Sequence, residues 1–102
     1  MLADQTVDWL VQEVSDLLDA SSVGLYEFLE LLNDPDQPLS VGERREVARR
    51  ALERVLSQGG VELRWMRWPE SGSLGTVSAA ELPPDPWLGP GEDGRYLALD
   101  RL

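Results

Sequence analysis

The chain has 102 residues, of which 19 are acidic and nine basic, for a net charge of −10. That length fits a single domain spanning 1–102, and 42% apolar content supplies a modest core. Cys, His and Lys are absent, which removes thiol and imidazole catalysis, the usual zinc ligand sets, Schiff-base chemistry and the P-loop lysine.

All nine basic residues are Arg, and Ile is also missing. Lys and Ile use AT-rich codons, so this usage points to a GC-rich, bacterial genome. The opening MLADQTVDWL lacks the basic start and apolar run of a secretory signal. No stretch approaches the ~18 consecutive apolar residues of a membrane span. A cytoplasmic protein without membrane contact is therefore expected. Charge is unevenly placed. Residues 1–40 hold nine acids and no base, residues 41–70 hold seven Arg and five Glu, and residues 71–102 hold five acids and two Arg. Such a dipolar surface repels phosphate at its acidic end and attracts cationic partners there.

In chain order, Val7, Leu10, Val11, Val14, Leu17 and Leu18 fall on one helical stripe, predicting a helix over about 6–19. Asp4 or Thr6 serves as its cap, and Trp9 falls on its polar face with Asp8, Gln12, Asp16 and Asp19. A second helix over about 23–33, capped by Ser22, is apolar nearly all round and should be the buried hub. Two prolines make Asn33–Leu39 a loop. Ser40 and Glu43 form a capping box that opens a third helix over about 41–58, ended by Gly59-Gly60. Alternating Val61, Leu63 and Trp65 predict a strand over about 61–68. A turn at Pro69–Ser73 leads to a weaker strand over about 74–79. The segment ELPPDPWLGPGEDG is extended, and a last strand is expected over about 95–99.

Three helices and a C-terminal antiparallel sheet of two or three strands make an α+β domain. In element order this chain resembles the winged-helix superfamily, with residues 61–79 as the wing. It also resembles short winged-helix-type proteins of GC-rich bacteria through Gly24–Asn33, Glu43–Gly60 and Val61–Trp68. There, a Leu-Tyr-Glu helix precedes an Arg-rich helix and a Trp-containing strand. The loop Asn33–Leu39 departs from the tight turn of a helix-turn-helix. The resemblance implies a fold and carries over no site residues.

Two constellations bear on function. Asp8, Trp9, Gln12, Glu13, Asp16 and Asp19 would form an acidic face on the first helix, with Trp9 as aromatic anchor. The competing placement packs Trp9 sideways on Trp87 or the C-terminal strand, and surplus aromatics in small domains usually find such cover. The second constellation is Arg45, Arg49 and Arg50 on the third helix, with Arg64 and Arg67 from the wing, placed for phosphate contact. Against it, Glu43, Glu46 and Glu53 interleave those arginines as on a solvated, ion-paired helix.

Within Arg64-Trp65-Met66-Arg67-Trp68, Trp65 is expected in the core and Trp68 beneath an Arg stem. The remaining reading is a partner surface of Arg64, Met66 and Trp68. Gly89–Gly94 fails as a phosphate cradle, because it carries carboxylates and precedes a strand. Asn33–Asp36 fails as a calcium loop, with Arg45 at the twelfth position. No cofactor or metal is expected.

The leading expectation is a non-enzymatic interaction module that docks a basic protein partner. One concrete form is an immunity or antitoxin-like inhibitor of a basic toxin. The alternative is a winged-helix transcriptional regulator that binds DNA as a homodimer, hiding its acidic half and presenting the third helix.

Overall fold

A computed structural model describes residues 2–33, 39–68, 72–78, 81–83, 85–91 and 93–102. Its elements are α1 (Leu2–Leu18), β1 (Val23–Gly24), α2 (Leu25–Leu31), α3 (Val41–Gln58), β2 (Val61–Arg67), β3 (Gly72–Val77) and β4 (Arg95–Arg101). Three helices pack with one antiparallel sheet in the order β1-β4-β2-β3, so the class is α+β. The sheet has one strand more than the sequence suggests. The expected loop at 34–38, the turn at 69–71 and Ala79 at the end of the expected strand lie outside the described residues.

α1 buries Val7, Leu10, Val11, Val14 and Leu18 along the expected stripe. Leu17 does not join them and is 39% exposed. It sits at the margin of the stripe, where the helix surface turns away from its neighbours. The helix also starts earlier than expected, which puts Asp4 in its first turn instead of at the cap.

Residues 23 and 24 are strand, not helix, because they pair with Leu99 and Ala98 of β4. Gly24 rather than Ser22 is then the N-cap of α2, and its N–H donates to the Glu27 carboxylate (2.5 Å). Phe28 on α2 is fully buried and meets Trp87 at a ring separation of 5.8 Å. α3 opens on the expected capping box. Ser40 N–H donates to Glu43 Oε1 (3.0 Å), and Glu43 N–H donates to Ser40 Oγ (3.1 Å). It buries Val47, Ala48, Ala51, Leu52 and Val55.

β4 enters the middle of the sheet, between β1 and β2. Its alternation separates two layers. Leu97 and Leu99 face the helices with Leu63, while Tyr96 and Ala98 face away with Met66. Tyr26 folds over this second cluster, edge-on to Tyr96 at 5.7 Å. Trp65 is half-buried on the helix side, as expected. Trp68 is 59% exposed, and the Arg stacked on a Trp is Arg95 on Trp65 instead.

The turn into β4 depends on Gly94. Its φ is +75°, and its carbonyl accepts the Trp68 N–H (2.7 Å). A Cβ there would stand 2.4 Å from the Trp68 carbonyl oxygen. Gly94→Ala should therefore lower stability by about 1–3 kcal/mol in urea denaturation. Gly42→Ala, in open space within α3, should raise it by about 0.5–1 kcal/mol.

Candidate protein-docking face

α1 and α3 lie side by side and bury their apolar stripes in one core. Along their outer seam Asp4 pairs with Arg50 (2.5 Å), and one helical turn later Asp8 pairs with Arg54. At the other end of α1 the Arg101 guanidinium donates to Asp19 (2.8 Å) and to the Ser15 carbonyl (3.1 Å). Two α1 carboxylates, and Asp19 just past its end, are thus matched with arginines from α3 and β4.

The six residues expected to form the acidic face divide accordingly. Asp8 and Asp19 belong to the ion-paired margins. Trp9, Gln12, Glu13 and Asp16 stay together between them, with Gln12 Nε2 donating to Asp16 Oδ1 (2.9 Å). Trp9 is 45% exposed and is not covered by Trp87, which is held against Phe28. Glu13 and Asp16 have no arginine partner among the described residues. What remains is an indole on a negative helix face, with Leu17 at its border.

The arginines proposed for nucleic acid are placed differently. Arg45 pairs with Asp85 (3.1 Å), and Arg49 sits between Glu46 (2.5 Å) and Glu53 (2.6 Å). Arg50 is held by Asp4, and Arg64 pairs with Glu62 and, at 3.8 Å, with Asp100. Four of the five therefore carry a carboxylate already. Only Arg67 of that set lacks one among the described residues.

Two of these pairs, Asp4–Arg50 and Glu46–Arg49, shift the titration of a member. The Arg50 hydrogen bond, and then its charge, hold the Asp4 carboxyl below its ordinary value. Glu46 is lowered mainly by its hydrogen bond to Arg49, and Arg49 is raised mainly by Glu46. Glu43 is lowered first by the Ser40 backbone N–H of the cap.

The sequence offered one unused signal for the seam. Asp4 and Asp8 share the four-residue spacing of Arg50 and Arg54, as two facing helices require. Among the described residues no three His, Cys, Asp or Glu side chains converge to hold a metal, and no helix is long and apolar enough to cross a membrane. No protein-family model matches this chain, and neither does any curated protein or solved structure.

Asp4, Glu43 and Glu46 all have lowered pKa values in the folded state. Their stabilisation is present above the ordinary 3.8 and 4.5 and is lost as pH falls through the lowered values. Urea midpoints should hold steady from about pH 7 to about pH 5 and decline below about pH 4.5. Asp4→Asn should reduce the neutral midpoint and flatten part of that acid decline.

Proposed function

We propose that this protein is a non-enzymatic interaction module whose α1 face, Trp9 with Gln12, Glu13 and Asp16, docks a basic protein. The observation that carries this reading is the exposure of Trp9 beside two carboxylates that no arginine neutralises among the described residues. A cationic partner would be steered by the uncompensated charge and then bury the indole. An aromatic anchor inside a polar rim is the usual form of a binding hot spot. Asp8 and Asp19 frame the face and keep their own arginines.

Inhibition of a basic toxin in the cytoplasm is one biological form of this chemistry, and it rests on analogy of charge. A hairpin directly after the third helix supports a winged-helix-like reading of the fold. DNA binding through that helix is supported less. Arg45, Arg49 and Arg50 would have to leave Asp85, Glu46, Glu53 and Asp4 before reaching phosphate, in a molecule of net charge −10.

The test is capture of partners from nuclease-treated bacterial lysate by the immobilised chain, at about 0.1 M and about 0.5 M salt. A basic protein should be retained at the lower salt and released at the higher. Capture should also fail with the Trp9→Ala, Asp16→Arg double variant, whose changes are on the surface and leave the core intact. Retention of the same protein by that variant contradicts the docking face.

A further inference from the structure

Arg67 and Arg95 stand outside the ion-pair network. They are directly opposed across β2 and β4, so they leave the sheet on the same face. Like charges in that register repel each other, yet neither guanidinium has a carboxylate in ion-pair reach among the described residues. Asp93, two positions from Arg95, does not relieve this. Its Oδ1 accepts the Arg95 backbone N–H instead (3.0 Å). In a chain with 19 acids, two cations opposed in register, with no ion-paired carboxylate among the described residues, mark a place where an external anion fits.

Beside Arg95 opens a groove of about 310 Å³, lined by Trp65, Pro86, Leu88 and Leu97. That volume is at the lower end of small-ligand sites, roughly 300–1,000 Å³. Of the two carboxylates among its described lining residues, Asp85 faces Arg45, and Asp93 accepts the Arg95 backbone N–H. Arg95 is held at the rim by the Trp65 ring, 4.8 Å below its guanidinium carbon. A cation stacked in this way is oriented before any ligand arrives. Leu88 is 66% exposed and offers apolar surface that a ligand body would cover.

We propose that this groove binds a small organic anion. A carboxylate or phosphate headgroup lies between Arg95 and Arg67, and an aromatic or aliphatic body lies in the groove against Leu88 and Leu97. The site uses no residue of the α1 face and stands independently of the docking reading.

The test is an NMR titration of the full chain, following the arginine Nε–H and tryptophan indole N–H signals. Four probes are used: phenyl phosphate, phenylacetate, neutral benzyl alcohol and inorganic phosphate. At least one of the two aromatic anions should shift Arg95 Nε–H and Trp65 indole N–H. It should bind about tenfold tighter than benzyl alcohol and inorganic phosphate, as charge-assisted hydrogen bonds and body burial acting together require. Whichever of the two binds tighter identifies the headgroup. Arg95→Gln and Arg67→Gln should each weaken binding about fivefold or more, with the remaining spectrum unchanged. Leu88→Ser should weaken the aromatic anions and leave inorganic phosphate unaffected.

Equal affinity for inorganic phosphate would mean an adventitious ion only and would overturn the proposal. So would binding that survives both arginine variants, or shifts that map away from Arg95 and Trp65. A single-stranded oligonucleotide that shifts the α3 arginines along with Arg95, and binds tighter than phenyl phosphate, would replace the small-ligand site with a nucleic-acid surface.

Discussion

The seam between α1 and α3 combines an apolar layer, with Val7, Leu10 and Val14 fully buried, and an outer ladder of Asp4–Arg50 and Asp8–Arg54. Their weights differ. Each buried aliphatic contributes about 1.5–3 kcal/mol, whereas an exposed ion pair contributes about 0–1 kcal/mol. Burial therefore holds the helices together, and the ion pairs decide which charges the surface presents. With nine arginines for nineteen carboxylates, an excess of ten negative charges remains however they pair.

That selection gives the molecule its chemistry. α3, the most basic segment of the sequence, is largely neutralised by Asp4, Asp8, Glu46, Glu53 and Asp85. α1 keeps Glu13 and Asp16 beside an exposed Trp9. At the far end of β2 and β4, Arg67 and Arg95 stand opposite each other in register, and Arg95 lines a small groove. The proposed docking face and the proposed anion site thus lie on different surfaces, although the net charge alone suggests a single acidic coat.

Local patterns were legible in the sequence. The Ser40–Glu43 box placed α3 at its observed bounds, because a cap is set by residues three apart. The apolar stripe of α1, Leu17 excepted, and the alternation of β2 are legible for the same reason. Relations between distant residues were not legible. β1 is two residues long and exists only through Leu99 and Ala98, more than seventy positions away. Asp19 meets Arg101 across 82 residues, and Asp8 meets Arg54 across 46. Those contacts removed Asp8 and Asp19 from the expected face, and no helical wheel shows them. Cover for Trp9 by Trp87 or the C-terminal strand is the competing expectation, but Trp9 is 45% exposed and Trp87 is packed on Phe28.

The sorting of charge around the two exposed tryptophans is tested most directly by ionic quenching of fluorescence. Stern–Volmer constants for caesium and iodide are measured in the wild type, Trp9→Phe and Trp68→Phe. Trp9 lies beside Glu13 and Asp16, so its removal should lower caesium quenching more than iodide quenching. Trp68 is exposed beyond the end of β2 and is no part of the α1 face, so its removal should show no such excess for caesium. Equal losses for both ions in both variants would contradict the account, because the uncompensated charges would then not be where the ion pairs leave them.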